Sequence, residues 1–398
     1  MIKLPAPVAD AMQALADNGF EAYAVGGCVR DVLLGKEPFD WDVTTSAPPE
    51  DICRVFAHQQ VIPTGLQHGT VTVLIDRVPI EITTYRVDGS YSDGRHPDDV
   101  RFTTYLSDDL RRRDFTVNAM AYSPLVGIVD LHGGKTDLKD KIIRCVGDPA
   151  ERFTEDALRI LRALRFAAVL GFSIDDATGG AIRALADRLS LVSAERITTE
   201  LKKLLCGADV RRVLSSFSEV FAVILPELEY TAERYQEIAD LFASAPPVLN
   251  VRLALLFSQA PNCANQALLR LRFEKNTVTT ITTVLDHLRD DLCSDSALQR
   301  LIGVIGYENA YTLADVRYAM HYEELCSRIA RMQAEGVCCR RADLAVNGND
   351  LTAVGYSGRA VGTELQRLLD AVIDSKAKNE HSTLLELASH HYKQKEQA

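Results

Sequence analysis

The stretch YAVGGCVRDVLLGKEPFDWDVTT, residues 23–45, decides the fold. Ala22 to Val25 can form a strand, and Gly26-Gly27 breaks it. Val29 to Leu34 can form one short helix, closed by Gly35. Asp40-Trp41-Asp42-Val43-Thr44 then alternates. In a strand, residues i and i+2 share a face, so Asp40 and Asp42 are expected to project together. Two adjacent carboxylates repel each other and need a cation. Mg²⁺ takes oxygen ligands, commonly one or two carboxylates plus substrate phosphates. Two such ions about 3.5–4 Å apart can activate an attacking hydroxyl and stabilise a leaving phosphate. The paired glycines let backbone approach a triphosphate, and the following helix offers free N–H groups. Arg30 on that helix can hold a phosphate. A bare Asp-x-Asp is more often a turn facing water; Gly-Gly and an arginine at this distance upstream reverse that weighting.

Outward from this stretch, Thr70 to Ile75 and Ile80 to Tyr85 read as a hairpin around Asp76-Arg77. Glu81 falls on the face opposite Ile80 and Ile82, either as a third carboxylate or as a solvent-facing strand residue. Up to about residue 150, short β-like runs alternate with Gly, Pro and Asp. Beyond Glu151 the pattern is helical almost to the end, with Leu158, Leu161 and Ala168 at helical spacing. That predicts an α/β domain followed by an all-helical remainder. Soft boundaries fall near Gly147-Asp148-Pro149, Pro246-Pro247 and Asn347-Gly348-Asn349-Asp350.

The 398 residues carry 44 Lys+Arg against 55 Asp+Glu, a net charge of −11, which disfavours an undirected nucleic-acid binder but not one with arginines gathered on one face. With 47% hydrophobic and 25% charged residues the composition is globular, not disordered. No apolar run approaches the roughly 18 residues of a membrane span, and Met1 to Asp10 lacks a secretory pattern. Nine scattered cysteines, an odd number without Cys-x-x-Cys spacing, suggest reduced cytoplasmic thiols, with neither a disulfide framework nor a zinc site.

Five stretches, VGGCVRDVLLGKEPFDWDVTT, RRRDFTVNAMAY, DLHGGKTDLKDKIIR, EDALRILRALRF and SAERITTELKKLL, follow one another between Val25 and Leu205. In this order they resemble the motifs of the class II tRNA nucleotidyltransferase/poly(A) polymerase family. The later LAVNGNDLTAVGYSGRAVGTELQRLLDAVIDSKAKN resembles the tail of bacterial CCA-adding members. The resemblance implies an α+β fold, a polymerase-β-like nucleotidyltransferase head followed by all-helical neck, body and tail. The corresponding segments are 1–147 (catalytic head), 148–206 (neck, base recognition), 207–325 (body with a degenerate hydrolase-like region) and 326–398 (tail, tRNA binding). It also implies untemplated addition of C, C and A to the tRNA 3′ end, from CTP and ATP, with Mg²⁺ and release of pyrophosphate.

By the same resemblance, Asp40 and Asp42 are the catalytic metal ligands, with Gly27 and Arg30 at the incoming triphosphate. Arg113-Asp114 corresponds to sugar and phosphate contacts; the alternative is a basic loop, Arg111 to Arg113, capped by Asp114 at a helix start. Asp156 and Arg159, three apart, are expected as neighbours on a helix. A carboxylate accepts and a guanidinium donates, so the pair can read the amino group and ring nitrogen of cytosine or adenine, whereas guanine and uracil present the opposite polarity. An intrahelical salt bridge is the structural alternative. Arg162 and Arg165 continue the spacing, each step falling about 60° short of a turn, so the four residues spiral and do not converge on one atom. Arg162 then supports the base readers and Arg165 is structural or phosphate-facing, although the family pattern gives both nucleotide contact. Leu158, Leu161 and Leu164 should pack the neck.

The polar segment VDGSYSDGRHPDDV, residues 87–100 around Tyr91, matches a loop that helps the final A addition in this family, or is simply a long hairpin connection. Longer relatives carry a His-Asp metal dyad in the body; Phe257-Ser258-Gln259 stands in its place and His287 is a surface histidine, so no phosphohydrolase activity is expected. Arg270, Arg272 and Lys275 are either RNA-backbone contacts or a solvated helix face. The expected partners are the tRNA acceptor arm, CTP and ATP, with no membrane and no obligate protein partner, in the cytoplasm. The rival readings are an A-adding or CC-adding enzyme, a poly(A) polymerase, and a noncatalytic RNA-binding protein.

Overall fold

Val71, Val73 and Ile75 alternate with Thr70, Thr72 and Leu74, and residues 70–75 form a strand with that alternation of burial. The computed structural model describes residues 2–89 and 100–396. The chain forms two compact units, Met1–Ala239 and Asp240–Ala398. The break lies inside 207–325, the stretch expected as one body, and just before Pro246-Pro247.

The strands of the first unit are β1 (Ala22–Val25), β2 (Asp42–Thr45), β3 (Gln60–Gly65), β4 (Thr70–Ile75), β5 (Val78–Thr84), β6 (Arg86–Asp88), β7 (Val100–Phe102), β8 (Met120–Ser123) and β9 (Gly127–Asp130). Seven of them make one mixed sheet in the order β3-β4-β5-β2-β1-β8-β9. Only β2 and β5 run parallel among these neighbours. The pair β6 and β7 forms a separate antiparallel ribbon. Residues 90–99, which include Tyr91 and most of the expected loop, lie outside the described residues.

The helices of this unit include α1 (Ala6–Asp17), α2 (Gly27–Leu33), α3 (Pro49–Val55), α4 (Leu106–Arg111), α5 (Gly134–Asp140), α6 (Pro149–Glu155), α7 (Leu158–Leu170), α8 (Asp176–Leu185) and α9 (Ala194–Leu205). Val43, Val71, Val73, Ile80 and Ile82 share one sheet face, on which Val8, Ala11 and Leu15 of α1 and Ile52 of α3 are buried. Each such valine, leucine or isoleucine contributes about 1.5–3 kcal/mol. That fixes the register and sends Asp42, Thr44, Glu81 and Thr83 to the opposite face. There α4 covers part of the sheet, with Leu106 and Leu110 on Tyr23, Val25 and Tyr85. After α5 the unit is helical apart from two short strands. Leu158, Leu161 and Leu164 are buried, as expected, where α7 packs on α9.

The second unit is helical, with helices at 249–257, 264–270, 275–286, 295–319, 326–334, 348–354, 359–373 and 381–396. Leu351, Tyr356, Leu368, Leu384 and Ala388 form a buried cluster around the last three. Among the described residues no helix is long and apolar enough to cross a membrane.

The turn joining β4 to β5 holds Asp76 at φ 50° and Arg77 at φ 66°, with Ile75 paired to Val78. A two-residue hairpin of this hand needs positive φ at both centres, which side chains resist. Arg77→Gly should therefore stabilise the protein by about 0.5–1 kcal/mol after the glycine's own entropy cost, read as a higher urea midpoint at unchanged slope.

Candidate active site

Gly26 adopts φ 84°, and a Cβ on it would lie 3.0 Å from Nη1 of Arg113. This residue turns the chain straight from β1 into α2, so the helix starts at Gly27 and not at Val29 as expected. A Cβ on Gly27 would meet only Arg30 at ordinary contact distance, so the backbone demand rests on Gly26. The turn also removes the ladder partner of β2. The pairing of β1 with β2 ends at Ala24 and Val43. The strand accordingly begins at Asp42, and Asp40 stands exposed in the preceding loop. The expected strand alternation of Asp40 with Asp42 is thus corrected.

The two carboxylates still interact. Burial, then the negative charges of Asp40 and Glu81, push the Asp42 carboxyl up to about 6, with Arg113 opposing them. Glu81 is the direct register partner of Asp42 across β2 and β5. Parallel neighbours in register share a face, so Glu81, although exposed, stands beside Asp42. Asp42, Glu81, Thr83, Arg86, Arg112 and Arg113 line a cleft of about 210 Å³. Among the described residues no three His, Cys, Asp or Glu side chains close into a complete metal cage. The fit is to a cation held by one or two carboxylates and finished by substrate oxygens.

Two arginines of the cleft are fixed from α4. Asp109 is fully buried and takes Nε of Arg112 at 3.0 Å and Nη2 of Arg113 at 3.2 Å. Burial works against its ionisation, but these two cations outweigh it and hold the carboxyl below its ordinary range. Thr44 of β2 donates to the same carboxylate at 3.2 Å.

Asp114 does not face the cleft. Its side chain is 10% exposed, accepts from its neighbour's N–H at Phe115 (2.8 Å) and takes Nε of Arg162 at 2.9 Å. Burial raises its carboxyl, yet Arg162 and the amide of Asn118 hold it low. Asn118 donates to Asp114 at 3.3 Å and accepts from Nη1 of Arg30 at 2.7 Å. Arg30 also pairs with Asp31. A continuous polar chain therefore runs from Arg30 through Asn118 and Asp114 to Arg162. Arg162 further approaches Glu200 of α9 at 3.6 Å, and Arg165 pairs with the other oxygen of that carboxylate. The length of the side chains makes up the angular drift, so Arg162 and Arg165 reach one carboxylate despite their spiral.

Asp156 and Arg159 are not neighbours on one helix. Asp156 lies in the break between α6 and α7, at φ −143° and ψ 102°. Its carboxylate caps the N–H of Leu158 and is gripped by Arg196 of α9 at 2.7 and 3.2 Å. Arg159 pairs instead with Glu155 and donates to the Arg152 carbonyl at 3.2 Å. Asp109, Asn118, Arg196 and Glu200 are the partners that sequence reading missed. Glu200 carried a signal, since it sits on the same stripe of α9 as buried Ile197, Leu201 and Leu204. Arg196, four residues earlier, had none.

In the second unit Ser258 is buried and donates to the Leu255 carbonyl, and His287 pairs with Asp290 at 2.7 Å. Arg270, Arg272 and Lys275 are exposed near the ends of two successive helices. All nine cysteines are free.

Three family models match consecutive parts of the chain: the poly(A) polymerase head domain over residues 22–144, a probable RNA- and SrmB-binding site of polymerase A over 171–231, and tRNA nucleotidyltransferase domain 2 over 250–388. The CCA-adding enzyme of Enterococcus faecalis is 34% identical over 377 residues, 93% of this chain and 92% of that one. That of Oceanobacillus iheyensis is 50% identical over 203 residues, 51% of this chain and 50% of its own. The crystal structure of the Bacillus stearothermophilus CCA-adding enzyme in complex with CTP matches with a TM-score of 0.84 at 31% identity, over 99% of this chain and 100% of that one.

The raised carboxyl of Asp42 has a measurable sign. Its folded state binds the proton more tightly than the unfolded chain, so its contribution is most favourable below pH about 4 and is lost as pH rises through about 6. In the metal-free protein Asp42→Asn should raise stability by about 1–2 kcal/mol at pH 7.5, and the gain should vanish near pH 4. Urea midpoints across that range check it.

Proposed function

The chain belongs to the tRNA nucleotidyltransferase/poly(A) polymerase family, among its CCA-adding enzymes, and on that premise we propose that it adds C, C and A to the 3′ end of tRNA from CTP and ATP. The observation that carries the reading is the match, over nearly all of both chains, to an enzyme of that name solved with CTP, combined with a carboxylate cleft where nucleotidyl transfer needs one. The family implies a divalent metal requirement. We take the ion to be Mg²⁺, held by Asp40 and Asp42, with Glu81 beside them. The Asp42 carboxyl, lifted by burial and then by the charges of Asp40 and Glu81, supports this fit. Bound there, it supplies charge neutralisation for the phosphates and the attacking oxygen.

The remaining steps fall to the chain's own residues. The tRNA 3′ oxygen bonds to the α-phosphorus, the bond from that phosphorus to the β-phosphate oxygen breaks, and pyrophosphate leaves as the hydroxyl loses its proton. Charge accumulates on phosphoryl oxygens, so preset cations lower the barrier. Gly27 and Arg30 are assigned to the triphosphate, and Arg113, tied to Asp109 at the cleft, to the sugar and phosphates. Asp156 accepts from the exocyclic amino group of C or A, while Arg159 donates to the neighbouring ring acceptor. Uracil and guanine would meet like with like, a mismatch that rejects by orders of magnitude. Arg162 and Arg165 act at the nucleotide through their positions beside these readers. All tRNAs must be accepted, so recognition rests on backbone and shape. The four segments 1–147, 148–206, 207–325 and 326–398 are retained as head, neck, body and tail, and the site of action is the cytoplasm.

Extension of tRNAs ending before CCA, after C and after CC, resolved to single nucleotides, tests the reading. C, C and A should be added stepwise and then stop. Arrest after CC, or action only on the CC end, would assign a partial enzyme, and a long A ladder a poly(A) polymerase. In the same assay Asp156→Ala should lose C and A incorporation or selectivity by about 10²-fold or more while metal-dependent stabilisation persists. Unchanged selectivity would overturn the base-reading assignment.

A further inference from the structure

Three of the arginines assigned to the nucleotide gather at one aromatic ring. The guanidinium carbon of Arg165 stands 3.9 Å from the centre of Phe166, that of Arg30 at 5.3 Å and that of Arg162 at 5.5 Å. The three come from different places. Arg30 belongs to α2, after the glycine turn, whereas Arg162 and Arg165 belong to α7. Phe166 is itself 7% exposed and is held by the edge of Phe115, centre to centre 5.7 Å at 77°. Phe115 follows Asp114 directly, so the carboxylate that anchors Arg162 and the ring that anchors Phe166 come from adjacent residues.

Three cations in one partly dehydrated space repel. Asp31, Asp114 and Glu200 offset them at the guanidinium edges. The electron-rich face of an aromatic ring attracts cations within about 6 Å, more strongly where water is excluded. A leucine would fill similar space and supply none of this. The carboxylates and Asn118 hold the guanidinium edges, and the ring adds one contact common to all three.

We infer that Phe166 is a positioning residue for nucleotide binding, a π platform that presets Arg30, Arg162 and Arg165 as one cationic array. This rests on the assignment of those arginines to the nucleotide. The array is then ordered before the triphosphate arrives, and the ordering cost is not taken from binding. The effect belongs in KM for CTP and ATP, with turnover at saturating nucleotide little changed.

The test is a fluorination series at position 166 in the full chain: phenylalanine, monofluoro-, trifluoro- and pentafluorophenylalanine. These keep the shape and apolar character of the ring while draining its face of negative charge. KM for both nucleotides should climb along the series, to about fivefold at the last member, while the melting temperature stays level. Phe166→Leu should match the pentafluoro variant, and Phe166→Trp should restore a low KM. A flat KM, or a KM that rises only as the melting temperature falls, would overturn the inference. Arg30→Ala is measured beside them. If it raises nucleotide KM and the fluorinated variants do not, only the platform fails. If Arg30→Ala also leaves KM unchanged, the assignment of the arginines fails and the platform with it.

Discussion

Asp114 accepts hydrogen bonds from two directions in the first unit, from Asn118 and the Phe115 N–H on the head side and from Arg162 on α7. Its burial alone would favour the neutral acid, and Arg162 more than reverses this. A carboxylate so placed is costly to leave without its cation. The consequence spreads along the chain of contacts. Through Asn118 the carboxylate orients Arg30, and through Arg162 it reaches Glu200 and Arg165. Arg30, proposed to hold the triphosphate, and the helix proposed to read the base therefore form one electrostatic unit, with Asp114 in its middle. The short 3₁₀ turn Thr116–Asn118 is packed so tightly on α5 that a Cβ on Gly134 would come within 2.3 Å of the Thr116 carbonyl. The backbone carrying Asn118 is thereby fixed as firmly as the charge it serves.

What the sequence made legible follows from the range of the forces involved. The strands β1, β4 and β5 and the helix α7 are written in local periodicity, because apolar residues must share a face whatever they pack against. The Asp76-Arg77 turn was legible from the hairpin on either side of it. The extent of β2 was not: it depends on where β1 stops, and β1 stops because Gly26 adopts positive φ. Of the cleft's carboxylates Asp42 was legible, while Asp40, expected on the same strand face, stands exposed in the loop before it. The place of Glu81 needed the parallel register of β2 with β5, a pairing between segments far apart in sequence. The same holds for most of the missed partners. Asn118 with Arg30, Arg196 with Asp156 and Glu200 with Arg162 and Arg165 are contacts made by tertiary packing, which leave no spacing rule in the sequence, whereas Asp109 stands three and four residues before Arg112 and Arg113, at helical spacing. Glu200 is the instructive exception, since a glutamate on an apolar stripe must find a cation, and α7 is where arginines are dense.

The separation of Asp156 from Arg159 bears most directly on the proposed base reading. Two such residues on one helical turn would be within reach of each other and would neutralise each other. A nucleobase would then have to displace an ion pair before it could be read, and its hydrogen bonds would be set against that loss. The break between α6 and α7 prevents this. It puts Asp156 on extended backbone and gives its carboxylate to Arg196, while Arg159 turns to Glu155. Each proposed reader is oriented by a partner of its own. A carboxylate held by one arginine keeps lone pairs for an amino group, and a guanidinium with five donors keeps some for a ring nitrogen. The acceptor and the donor thus stay distinct and fixed before any nucleotide binds. A protein surface needs that rigidity to do what a template strand does, because a pair free to rearrange would adapt its polarity to uracil or guanine and lose the distinction.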